Sequence, residues 1–188
     1  MAEVVLDPYD SEYLYEYTFD ELIDKVPYNP DNEKVRIELT LYPILLIRLS
    51  RQFKRTISYT ECHIQATRLG CAKLQHHDKI KLLIERSDKV IDSDENIFAF
   101  NDLINTSGYP YETNTANGRF KISVLEWVNS YIDLNSISLG IPKGQLTAIC
   151  FLIGLSDYSK LSESRSKEIN KELNKFWGYI DYKLSLYN

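Results

Sequence analysis

The most constraining feature of the sequence is a change of hydrophobic period that occurs twice. In residues 34–74, Val35, Ile37, Leu39 and Leu41 alternate with Arg36, Glu38 and Thr40, the period-2 pattern of a strand with one apolar face. Beyond Pro43 the spacing becomes helical. Leu45, Leu49 and Phe53 share a face, and Arg48, Arg51, Lys54 and Arg55 occupy the remaining surface. Ser58 followed by Glu61 has the form of a capping box. It opens a second helix bearing Cys62, Ala66 and Leu69, expected to end near Gly70. One short strand and two helices in about forty residues cannot close a core alone, so the unit needs a second one over its apolar side.

Residues 119–157 supply a matching unit. Phe120, Ile122 and Val124 alternate with Arg119, Lys121 and Ser123. A helical run follows (Val128, Tyr131, Ile132), then a break at Gly140 and a further helix from Pro142 with Leu146, Ile149 and Ile153 on its face. Ile37 to Ser58 spans 21 positions and Phe120 to Pro142 spans 22, so the two units align with one residue of slack.

At 188 residues the chain holds one compact domain or two small ones. No apolar run approaches the ~20 residues of a membrane span and no basic-then-apolar leader is present, so a cytoplasmic protein is expected. Cys62, Cys71 and Cys150 lack metal or redox spacing and are expected as buried free thiols. The net charge of −5 conceals a strong asymmetry. Residues 1–33 hold ten acids against one Lys, residues 34–89 hold twelve Lys and Arg against five acids, and residues 90–188 hold nine against twelve. Only the middle segment has the balance of a polyanion-binding surface.

Residues 1–33 form an acidic, Tyr-rich arm, expected either to be solvated or to dock, on a partner or, in an autoinhibitory reading, on the basic segment 34–89. Within it, Thr18 and Glu21 look like a capping box for a short helix that stops before Pro27. Residues 75–118 read as a helical and loop connector, with helices expected over 78–90 and 96–104 and a loop over 107–118. Residues 158–188 read as a C-terminal helix whose stripe is Ile169, Leu173, Phe176, Trp177, Ile180 and Leu184. Such a stripe serves core packing or a homodimer interface.

The strand-helix-helix pattern resembles the ribbon-helix-helix (MetJ/Arc/CopG) superfamily, here in two tandem copies as in the TraY arrangement. The resemblance covers about 80 of the 188 residues, and it excludes the arm and the C-terminal helix. It implies a mainly α fold with a short antiparallel β-ribbon, a pseudo-dimer of tandem units plus extra helices. It also implies a sequence-specific double-stranded DNA-binding protein, a transcriptional regulator of prokaryotic, plasmid or viral type, that reads the major groove with the ribbon. By position, base reading falls to Arg36, Glu38, Thr40, Arg119, Lys121 and Ser123. Glu38 departs from expectation because phosphate repels a carboxylate, although cytosine N4 would donate to it.

Phosphate binding falls to the starts of the second helices: Ser58, Tyr59 and Thr60 in one unit, Lys143 and Gly144 after Pro142 in the other. Arg51, Lys54 and Arg55 would add attraction. The first helix of the second unit carries only Glu126 and Asp133, so that half should bind DNA less well.

His63, His76 and His77 with Cys71 are too loosely spaced for a metal site, and the histidine pair is expected to cap a loop. No nucleophile–base pair or phosphate loop stands out, and neither an enzyme nor a cofactor is expected. A second reading keeps the fold and drops the DNA. It is a protein-interaction module or antitoxin-like adaptor whose acidic arm binds a partner or mimics nucleic acid.

Overall fold

A computed structural model describes residues 14–26, 31, 33–39, 49, 57–91 and 120–187. Among these the chain is mainly helical, with one short two-stranded antiparallel sheet. Its strands, β1 (Lys34–Leu39) and β2 (Phe120–Leu125), come from distant parts of the sequence and pair directly. The register sets Arg36 opposite Ser123, Ile37 opposite Ile122 and Glu38 opposite Lys121. The period-2 alternation becomes two faces: Ile37, Leu39, Ile122 and Val124 are buried, whereas Arg36 and Lys121 are exposed.

Among the described residues six helices accompany the sheet: α1 (Phe19–Lys25), α2 (Tyr59–Gln75), α3 (Asp78–Ile91), α4 (Glu126–Leu139), α5 (Lys143–Leu155) and α6 (Glu163–Leu186). Helices α2 and α5 pack along one another at the centre. Helix α2 lies on β2 and α5 lies on β1, so each covers the strand from the other half of the sequence. The expected N-cap appears at Ser58, whose hydroxyl accepts the Glu61 N–H at 3.1 Å, the first half of a capping box. Helix α4 ends at Gly140, whose φ of 67° requires the left-handed region. There the chain bends by 112° into α5.

One sequence expectation needs correction. Helix α2 does not end near Gly70 but runs to Gln75. The glycine is there because the helices touch, not to stop one of them. A Cβ on Gly70 would lie 1.6 Å from the Cys150 carbonyl oxygen, and one on Gly154 would lie 1.9 Å from that of Ala66. The two contacts are reciprocal, since Ala66 and Gly70 stand 84 positions before Cys150 and Gly154.

Of the readings open for the acidic arm, docking on the chain itself fits its described helix, which packs on the body. Leu14, Phe19, Leu22 and Val26 are buried, and α1 packs against α2. The buried Arg68 guanidinium donates to the Val26 carbonyl at 2.8 Å, and the Asp157 carboxylate accepts the Phe19 N–H at 3.2 Å. Asp20 accepts both the N–H and the hydroxyl of Ser159, at 2.9 and 2.7 Å.

Helix α6 closes the other side. Its stripe turns inward, with Ile169, Phe176 and Ile180 fully buried. Its Tyr179 hydroxyl donates to the Gly140 carbonyl at 3.0 Å, fixing the corner between α4 and α5. The expected helix over 96–104 and the first helix of the first unit lie outside the described residues, apart from Leu49, which is buried.

Candidate nucleic-acid interface

The sheet brings four of the six expected base-reading residues onto one face. Arg36 and Glu38 alternate outward on β1, as do Lys121 and Ser123 on β2. Directly opposed side chains in an antiparallel pair stand about 5 Å apart at Cβ, and successive outward residues stand about 7 Å apart along a strand. The face therefore presents a compact patch: Arg36 beside Ser123, then Glu38 beside Lys121. Arg36 and Lys121 are exposed, while Glu38 and Ser123 are partly covered. Thr40 and Arg119, which would extend the patch, lie outside the described residues. Lys34, exposed and on the same parity as Arg36, also belongs to this face. The alternation that identified Arg36 and Glu38 also points to it.

The two expected phosphate-binding sites occupy equivalent helix starts but differ chemically. On α2, Ser58, Tyr59 and Thr60 are exposed, and Ser58 caps the helix. On α5, Pro142 provides no side-chain cap, and Lys143 and Gly144 are partly buried. The Lys143 ammonium lies 2.8 Å from the Asp133 carboxylate of α4, so its charge is already answered within the chain. The α4–α5 bend makes that pairing, which sequence spacing alone does not reveal. Arg51, Lys54 and Arg55 lie outside the described residues.

The charge balance of residues 34–89 overstates the free positive surface. Arg68 is internal and serves the arm. Lys73 is tied to Asp157 at 2.8 Å, Lys79 to Asp181 at 2.7 Å and Lys89 to Glu85 at 3.2 Å. One end of the ribbon is acidic. The Glu126 N–H donates to the Glu33 carbonyl at 3.0 Å, which holds both side chains at the sheet terminus. Their shared hydrogen bond and mutual repulsion hold the Glu126 carboxyl above its usual range.

Each histidine has a structural place. His63 is buried in α2 against Phe151, and burial lowers its pKa to about 4, so it is neutral near pH 7. His76 stacks on Tyr15 of the arm at 4.2 Å, and His77 stacks on Trp177 of α6 at 4.0 Å. The His77 Nδ1 accepts the Lys79 N–H at 3.2 Å, which makes it the cap of α3. Among the described residues no three metal-ligating side chains gather. Cys62, Cys71 and Cys150 are buried free thiols, and burial beside Cys150 pushes the Cys71 thiol well up.

No family model matches the chain, and comparisons with curated proteins and with solved structures return no match. Among the described residues no single helix is long and apolar enough to cross a membrane.

Proposed function

We propose that the chain is a sequence-specific double-stranded DNA-binding protein, a transcriptional regulator made of two tandem ribbon-helix-helix units. The units form a pseudo-dimer within one polypeptide and read the major groove with their shared ribbon. The observation that carries this reading is the pairing of β1 with β2, its apolar side on α2 and α5 and its wet side bearing Arg36, Glu38, Lys121 and Ser123. A two-stranded ribbon fits a major groove about 12 Å wide. The reciprocal Gly70–Cys150 and Gly154–Ala66 contacts support the pseudo-dimer, because a twofold relation between units requires every contact to recur with the partners exchanged.

The halves are not equivalent, so the operator is asymmetric. A regulator of this kind needs no cofactor, performs no catalysis and works in the cytoplasm. Residues 1–33 remain available to a protein partner only through what extends beyond the docked α1. Two chains joining through α6 would use Tyr182 and Leu186, its exposed apolar residues.

A binding titration against selected duplexes tests the proposal. Arg36→Ala and Lys121→Ala should each weaken binding, and log K should fall with log salt by about 0.9 per neutralised phosphate. Unchanged affinity in both variants rejects the ribbon as the reader. A protein-interaction module of the same architecture is the second reading, favoured by the Glu33–Glu126 pair and by the neutralised Lys143. It predicts no salt-dependent retention on any duplex.

A further inference from the structure

We infer that Glu38 and Lys121 act as one specificity unit that selects a C·G base pair at the centre of the bound site. The inference rests on the DNA-reading proposal and adds to it the identity of the base pair read.

The register sets the two side chains directly opposite one another on the outward face, with Arg36 and Ser123 forming the neighbouring pair. A carboxylate only accepts hydrogen bonds and an ammonium only donates them. In the major groove, C·G offers the matching pattern, with the cytosine N4 amine as donor beside the guanine O6 and N7 acceptors. The adenine N6 amine is a poorer partner because it sits between two acceptors, adenine N7 and thymine O4, whose lone pairs repel a carboxylate. Adenine is otherwise read by Asn or Gln, and neither occurs at residues 36, 38, 40, 119, 121 or 123.

The opposition also removes the objection to a carboxylate near phosphate. Lys121 balances Glu38, so this pair enters the groove without net charge, and Arg36 provides the attraction. Glu38 is therefore a base reader whose charge its cross-strand neighbour makes tolerable.

The experiment selects duplexes from a random pool with the full-length chain, as wild type and as Glu38→Gln and Lys121→Ala. Thermal unfolding confirms that each variant keeps the fold. Wild type should enrich C·G at one central position, and replacing that pair with T·A in a defined duplex should weaken binding about tenfold. Glu38→Gln should turn that position toward A·T, because a carboxamide bonds adenine N6 and N7 together. Lys121→Ala should relax the same position. If Glu38→Gln keeps the C·G preference while Arg36→Ala still weakens binding, the inference falls and the DNA reading stands. Salt-dependent binding without sequence preference also overturns it. If no duplex is retained in a salt-dependent way, the DNA reading fails and takes the inference with it.

Discussion

Helices α2 and α5 occupy equivalent places on either side of one contact, yet they solve different physical problems. Helix α2 opens with a hydroxyl cap and an acid in its first turn, and it buries Gln65 and Arg68, which both donate to the Val26 carbonyl at the end of α1. Helix α5 opens at Pro142 without a side-chain cap and is apolar on nearly every side, enclosed by α2, β1, α4 and α6. A helix that is hydrophobic all round belongs in a core. The second half therefore anchors the molecule, while the first carries the polar adaptations. If the halves descend from one repeat, burial has diverged along with charge.

The largest effect expected from this pairing is at the two glycines. Gly70→Val and Gly154→Val each push side-chain atoms into backbone rather than into a movable side chain. Each should cost about 3 kcal/mol or more by denaturant unfolding. Because the contacts are reciprocal, the two losses should be similar. If one variant is severely destabilised and the other is neutral, the equivalence of the helices is wrong.

A chemical difference between the halves sets the next effect, since α2 buries an ionisable ring at His63 and the matching part of α5 contains none. Burial lowers the His63 value from 6.5 to about 4, so the folded state prefers the neutral ring. The associated stability is complete above the unfolded value of 6.5 and is lost as pH falls toward about 4. The loss amounts to at most about 3 kcal/mol. His63→Leu should flatten that part of the stability curve, measured by denaturation between neutral pH and about pH 4.5. An unchanged slope in the variant would show that another group carries the acid sensitivity.

The ribbon compares the two strands directly. Arg36→Ala and Lys121→Ala should each weaken binding to a selected duplex by about 1–3 kcal/mol. They should affect different base positions, because Arg36 and Lys121 occupy successive cross-strand pairs. Identical changes in base preference would mean that the residues do not lie along the groove as the register requires.

Much of this architecture was legible because periodicity is a local property that survives into the fold. The outward and inward residues of both strands follow from alternation, and the break at Gly140 follows from the helix-stop rule. What escaped depends on pairs distant in sequence. Gly70 looks like a terminator by the same rule that correctly reads Gly140; only the presence of α5 shows that its role is close approach. The arm's charge leaves solvation and docking both open in the sequence, and the spacing of Phe19, Leu22 and Val26 is the helix face that docks. The basic surplus of residues 34–89 suggests a free surface in the sequence, whereas Arg68, Lys73 and Lys79 find partners in the arm, the α5–α6 loop and α6.

The smallest expected effect concerns the Asp133–Lys143 ion pair, which on the DNA-binding proposal would weaken the second half. Asp133→Asn removes an exposed ion pair with Lys143, costing about 0.5 kcal/mol of stability. The same change frees an ammonium at the start of α5, in the position matching Tyr59 of α2. If that helix start meets a phosphate, the variant should bind DNA more tightly, and its log K against log salt should steepen by about 0.9. Asp133→Asn with Lys143→Ala should then lose the gain. A steeper slope in the single variant that returns to the wild-type value in the double assigns the weakness of this half to one intramolecular acid. An unchanged slope would place Lys143 away from the DNA and leave the starts of α2 and α5 equivalent in sequence position alone.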